Sequence, residues 1–122
     1  MSRRSLNPIQ YLRFFGYAVE GLHYALRHHT SFGVQILIGL MAVGAGLYFR
    51  ITRVEWMVLL FVSFAVLVAE LLNTAIETTL DYMEKEHHHD VKVAKDVAAG
   101  GVLLTAVGAM VVGLIIFLPY LL

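Results

Sequence analysis

Cysteine is absent from the chain, and charged residues are scarce. The lack of cysteine excludes disulfides, thiolate metal sites and a cysteine nucleophile, and it leaves the redox compartment open. Only 15% of the 122 residues are charged, against about 25% in a typical soluble domain. So little charge cannot cover a water-exposed surface, and we expect much of the surface to face lipid. The formal net charge of zero gives no indication of nucleic-acid binding.

Motifs that bind phosphate or metal in soluble enzymes are also missing. The sequence contains no Walker-type phosphate loop, no glycine-rich kinase loop and no HExxH. If the chain binds ATP, the site must therefore be built from charged side chains on helices.

What the sequence does contain is three long apolar runs. Hydrophobic residues make up 59% of the chain, and its mean hydropathy is +0.74. The runs cover residues 31–49, 54–80 and 97–120, and each is close to or above the ~20 residues that cross a membrane as a helix. Buried helices of a soluble protein are the alternative, but little chain would remain to cover them. The sequence predicts one all-α membrane domain, residues 1–122, with three transmembrane helices.

The segment before the first run, residues 7–29, has a different pattern. Charged residues interrupt it, so it is not typical of a signal peptide, and we interpret it as part of the mature protein. Its apolar residues recur at three- and four-residue steps: Leu12, Phe15, Val19, Leu22 and Leu26. This spacing predicts an amphipathic helix at the membrane interface. A helix packed on the bundle would give the same pattern.

The basic residues predict the orientation of the chain. Four arginines precede the first span, and Lys85, Lys92 and Lys95 lie between the second and the third. Only Arg50 and Arg53 lie between the first and the second. By the positive-inside rule, the N-terminus and the loop of residues 82–96 are expected on the cytoplasmic side. The chain is then a multi-pass protein of the cytoplasmic membrane.

The second span carries acidic residues, which are costly inside a membrane and indicate a functional site. With about 100° of rotation per residue, five polar residues fall within about 100° of arc on one face. They are Glu70, Asn73, Thr74, Glu77 and Asp81. A column from the lipid boundary to the aqueous side suits a reaction between a lipid and a water-soluble anion. Polar groups that join helices are the alternative, although each unpaired charge would cost several kcal/mol.

Further polar residues lie before the third span. Lys95 and Asp96 offer a cation for phosphate oxygens and another carboxylate, although a snorkelling lysine and a helix N-cap would also explain them. The small residues that follow, including Ala99 and Gly100, allow a helix or a substrate chain to approach closely. The histidines at positions 87–89 would point in different directions on a helix, so we do not expect all three in one metal site.

Two of these segments resemble signatures of the prokaryotic diacylglycerol kinase family. Residues 69–77, AELLNTAIE, resemble its E-x-x-N-(S/T)-A-I-E motif, and Asp81 fits the aspartate that follows. Residues 94–100, AKDVAAG, resemble its A-K-D segment. The resemblance implies a bacterial inner-membrane homotrimer with sites between subunits, which phosphorylates a membrane lipid alcohol with ATP. Residues 113–119, GLIIFLP, are similar to the undecaprenol kinase branch, which favours undecaprenol over diacylglycerol.

The resemblance also implies roles for individual residues. Glu70 would be the general base at the lipid hydroxyl, and Asn73 would orient Glu70 or that hydroxyl. Glu77 would hold Mg²⁺, and Ala99 and Gly100 would lie beside the lipid substrate. The residues expected to bind ATP are Tyr17, Glu77, Asp81, Glu86, His87, His88, Lys95 and Asp96.

Two positions depart from the family pattern. The resemblance implies a second metal-binding glutamate at the end of the N-terminal helix and an acid or histidine about six residues later. Here these positions are His29 and Gln35. Magnesium prefers oxygen ligands, so His29 as a ligand would favour Mn²⁺ or Zn²⁺. Otherwise a water replaces the ligand, or activity is impaired. The alternatives to a kinase are a non-catalytic homologue that acts as a membrane interaction protein and an oligomeric metal or proton conduit.

Overall fold

The computed structural model describes residues 7–83 and 89–122, and these residues form four helices. The helices are α1 (Pro8–His28), α2 (Thr30–Phe49), α3 (Arg53–Met83) and α4 (His89–Leu121). The last three are long and apolar enough to cross a membrane. The prediction of an all-α protein with three helices suited to cross a membrane is confirmed. Glu86, His87 and His88, which we expected to bind ATP, lie outside the described residues.

Helix α1 begins at a capping box. The Asn7 side chain accepts a hydrogen bond from the backbone N–H of Ile9, and the Gln10 side chain accepts one from the backbone N–H of Asn7. The helix ends at His28 because His29 adopts an extended backbone, and α2 begins at the next residue. Its predicted apolar stripe is exposed, with Leu12 and Phe15 each 71% exposed. The interfacial position of α1 remains a prediction.

A tight connection joins α2 to α3 and makes the two helices antiparallel. Arg50 adopts the left-handed conformation with φ 51°, and the N–H of Ile51 donates to the carbonyl of Gly46. At the start of α3, Thr52 and Glu55 hydrogen-bond each other's backbone N–H at 3.2 and 3.0 Å. The backbone groups at the end of α2 and at the start of α3 are therefore hydrogen-bonded within a few residues. This short connection determines how the two helices are aligned.

The apolar core lies beside this connection. Ile51, Leu59 and Ile116 are buried there, and Phe49 and Trp56 pack against them. At Gly46 the Trp56 ring comes so close that an added Cβ would stand 2.8 Å from it. The packing of α2 on α3 therefore requires a glycine at position 46.

We predict that Gly46→Ala destabilises the protein, because the rigid Trp56 ring would have to shift. Overpacking of this kind typically costs about 1–3 kcal/mol. Thermal unfolding in a mild detergent should show a lower Tm than for the native chain. The matched control is Gly44→Ala, where nothing lies within 4 Å of the added Cβ. Equal Tm values for the two variants would contradict the prediction.

The region between α3 and α4 is more helical than the sequence indicated. We interpreted residues 82–96 as a loop, but α3 continues to Met83 and α4 already begins at His89. Asp96 consequently lies inside α4, and its interpretation as a helix N-cap is wrong. It pairs instead with Lys92 one turn earlier, at 2.7 Å. This i,i+4 ion pair supports helix at a point where polar composition suggested a loop.

Candidate active site

The predicted acidic column continues the buried face of α3. The buried residues of this helix are Leu59, Val66 and Glu70, which lie within about 40° of arc at helical periodicity. The face that packs apolar side chains in the first half of α3 therefore carries carboxylates in the second half. Glu70 is directed into the bundle and not towards surrounding lipid.

Exposure increases along this column. Glu70 is 6% exposed, whereas Asn73 and Glu77 are half-buried. The Asp81 side chain, about 16 Å further along the axis, is 64% exposed. The column thus leads from a buried carboxylate to a charged group at the surface.

Ser31 of α2 contacts the buried end of the column. Its hydroxyl donates a hydrogen bond to Glu70 Oε2 at 3.2 Å. Ser31 lies 18 positions before the end of α2, and Glu70 lies 17 positions after the start of α3. In an antiparallel hairpin these nearly equal separations bring the two residues to the same height. Our sequence reasoning gave Ser31 no role, although this count from a short connection could have found it.

Asn73, which we expected to orient either Glu70 or the lipid hydroxyl, hydrogen-bonds Glu77. Its Nδ2 donates to Glu77 Oε1 at 3.3 Å, one turn along α3. The expectation that it orients Glu70 is not matched by a hydrogen bond in the described residues. Its Oδ1 is buried without a partner there, so the site offers an acceptor for an incoming donor.

Two ion pairs lie at the exposed end of the column. Lys95 of α4 donates to Asp81 of α3, and this pair connects the two helices. Asp96 belongs to the separate pair with Lys92, both of which are largely exposed. The fold therefore places the Lys95 cation at the exposed end of the acidic column, where it pairs with Asp81.

Three expected site residues are exposed: Tyr17, Ala99 and Gly100. Tyr17 is 62% exposed on α1 and packs edge-on against Phe14. Ala99 is exposed, and no atom lies within 4 Å of a Cβ added at Gly100. Gly100 therefore leaves open space within the described part of the chain.

The two positions that depart from the family pattern lie near the start of α2. His29 is half-buried in the break between α1 and α2, and its ring lies 6.3 Å from that of Tyr24. Gln35 is half-buried and lines a groove. Residues 7–83 and 89–122 contain no group of three or more acidic or histidine side chains that could hold a metal. A metal at Glu77 would need most of its ligands from elsewhere.

The groove beside Gln35 runs between α2, α3 and α4. It has a volume of about 530 Å³ and is lined almost entirely by apolar side chains. Val66 and Leu67, one turn from Glu70, lie at one end, and Leu59 and Phe117 lie at the other. This apolar groove thus adjoins the buried end of the acidic column.

Comparison with known proteins supports the resemblance found in the sequence. The family model for prokaryotic diacylglycerol kinase matches residues 16–117. The chain is 34% identical to an undecaprenol kinase of Bacillus subtilis, over 98% of this chain and 95% of that protein. It is 37% identical to a diacylglycerol kinase of Synechocystis, over 88% of this chain and 62% of that protein. A diacylglycerol kinase of Pseudomonas aeruginosa is 33% identical over 75% and 76% of the two chains. The chain therefore belongs to the prokaryotic diacylglycerol kinase family of membrane lipid kinases.

Proposed function

We propose that this protein transfers the γ-phosphoryl group of ATP to the hydroxyl of a membrane lipid alcohol, with undecaprenol as the favoured substrate and diacylglycerol next. The observation that carries the proposal is the gradient along α3, from a buried Glu70 to an exposed Asp81 beside Lys95. A lipid alcohol can reach the buried end from the bilayer, and ATP can reach the exposed end from water. The relatives named as undecaprenol and diacylglycerol kinases support this reading.

In the proposed reaction the lipid hydroxyl oxygen attacks the γ-phosphorus, and the bond to the β–γ bridging oxygen breaks to release ADP. Glu70 accepts the hydroxyl proton as general base. Asn73 Oδ1, which has no hydrogen-bond partner among the described residues, lies one turn away. There it can accept a hydrogen bond from the hydroxyl or from a bound water. Lys95 and Asp81 position the nucleotide, and the proposed nucleotide site also includes Asp96. Positioning and charge neutralisation supply most of the catalysis in phosphoryl transfer.

The donors present fit a magnesium ion that enters with the nucleotide. Magnesium usually takes one or two carboxylates and completes its shell with phosphate oxygens and water. Glu77 supplies such a carboxylate, and Asn73 holds it through one oxygen. When bound, the ion neutralises charge on the ATP phosphates.

The lipid chain is proposed to lie in the groove between α2, α3 and α4. Its end beside Val66 and Leu67 is one turn from Glu70, so a hydroxyl at Glu70 and a hydrocarbon tail in the groove are compatible. The undecaprenol kinase of Bacillus subtilis matches along 98% of this chain, which favours a polyprenol.

We further propose a homotrimer with shared sites in a bacterial cytoplasmic membrane, with the N-terminus in the cytoplasm. Large exposed apolar surfaces on all four helices are consistent with both lipid and subunit contacts.

A phosphoryl-transfer assay tests the proposal directly. Purified protein in mixed micelles is given Mg-ATP and either undecaprenol or diacylglycerol, and the phosphorylated lipid is measured. We expect transfer to both and a higher kcat/KM for undecaprenol. The rival function, a non-catalytic membrane protein of the same family, predicts no transfer to either lipid. The buried Glu70 argues against that rival, because a carboxylate without chemical use would be costly there.

His29 provides a second prediction, about the choice of metal. If its imidazole faces the ion, the protein should be more active with Mn²⁺ or Zn²⁺ relative to Mg²⁺ than ordinary family members are. The variant His29→Glu restores an oxygen ligand and should raise Mg²⁺-supported turnover. Rates with each metal, measured for the native chain, His29→Glu and His29→Ala, decide the point. Unchanged metal preference in His29→Ala, together with no gain in His29→Glu, would exclude a metal role.

A further inference from the structure

We infer that Ser31 is a positioning residue for the general base: its hydroxyl holds Glu70 Oε2 and leaves Oε1 to accept the proton. This inference rests on the proposed function of Glu70. It adds a residue of α2 to the proposed site. The carboxylates proposed as general base and metal ligand, Glu70 and Glu77, both lie on α3.

The contact is longer than the usual O–H···O hydrogen bond of about 2.5–3.0 Å, but it reaches a buried side chain. Ser31 Oγ lies 3.2 Å from Glu70 Oε2, and the carboxylate belongs to a residue that is only 6% exposed. No hydrogen bond to Oε1 is made by residues 7–83 or 89–122. One carboxylate oxygen is therefore held, and the other has no hydrogen bond from the described residues.

The contact also depends on a well-defined part of the fold. Ser31 lies in the first turn of α2. At the other end of this helix, the connection through Arg50 and the capping box of Thr52 and Glu55 aligns α2 with α3. A glutamate side chain has three rotatable bonds, and a single hydrogen bond from a second helix removes much of that freedom. Without it, Oε1 would no longer be held at one position relative to the lipid hydroxyl.

Loss of this hydrogen bond should lower the rate of the chemical step. Misplacement of a catalytic group by about 1 Å can cost about 10²-fold in rate. We expect Ser31→Ala to reduce kcat about 10- to 100-fold, with the KM values for ATP and lipid nearly unchanged. Ser31→Thr keeps a hydroxyl on the same atom and should restore most of the rate.

The decisive experiment combines these variants with Glu70→Gln. If Ser31 acts through Glu70, then Ser31→Ala added to Glu70→Gln should lower the residual rate no further. The matched control is Thr30→Ala, which removes an exposed hydroxyl from the adjacent position and should keep the native kcat. Thermal unfolding of each variant in detergent accompanies the kinetics.

The possible outcomes separate the two proposals. If the native chain phosphorylates lipid and Ser31→Ala matches it, the positioning role is wrong and the kinase function stands. The role is also wrong if Ser31→Ala lowers the rate equally in both backgrounds, or if Ser31→Thr does not recover. If the native chain transfers no phosphate to either lipid, the proposed function falls and the role of Ser31 falls with it.

Discussion

Replacing Glu70 with glutamine should reduce phosphoryl transfer by about 10²- to 10⁴-fold, the usual loss when a general base is removed. Binding of ATP should remain nearly unchanged, because Glu70 is at the buried end of the column and the Asp81–Lys95 pair is at the other. Glutamine has the same shape and can still accept a hydrogen bond from Ser31. The change therefore removes the base with little effect on packing.

Two measurements on the same preparations are needed: steady-state transfer to the lipid, and equilibrium binding of ATP. Glu55→Gln is the matched control, since Glu55 lies at the opposite end of α3 and bonds Tyr120 and Thr52 there. That variant should keep both transfer and binding. Near-native turnover in Glu70→Gln would exclude Glu70 as the base.

Replacing Glu77 with alanine should abolish metal-dependent ATP binding as well as transfer. Glu77 is the half-buried carboxylate between Glu70 and Asp81, and we propose that it contributes a protein ligand to the ion. A metal with few protein ligands depends strongly on each of them. The effect should appear when ATP binding is titrated at increasing Mg²⁺ concentration, where the native chain responds and the variant does not.

The variant Glu77→Gln separates the metal role from a packing role. Its amide oxygen can still accept the hydrogen bond from Asn73 Nδ2, but the negative charge is gone. A metal ligand predicts that both variants lose the metal dependence. A helix-packing residue predicts that Glu77→Gln behaves as the native chain, and an unchanged metal requirement in both would assign Glu77 to packing alone.

The sequence predicted the features of this protein that depend on neighbouring residues. Apolar length indicated the three candidate spans, and helical periodicity placed Glu70, Asn73, Glu77 and Asp81 on one face of α3. Both predictions depend only on the regular geometry of an α-helix: its rise per residue sets the length of a span, and its rotation per residue sets the face on which a residue lies. The same reasoning failed at residues 89–96, because polar composition suggested a loop where an i,i+4 ion pair supports a helix.

Contacts between helices were decided only by the tertiary structure. Ser31 and Glu70 are 39 positions apart, and they meet because a left-handed residue and a capping box align α2 with α3. The preference of Asn73 for Glu77 depends on side-chain rotamers that periodicity does not specify. Composition and spacing therefore determined that a buried acid exists and on which face it lies. Only the packing of a second helix against it determined which of its oxygens is held, because that depends on distances that no local rule of the chain controls.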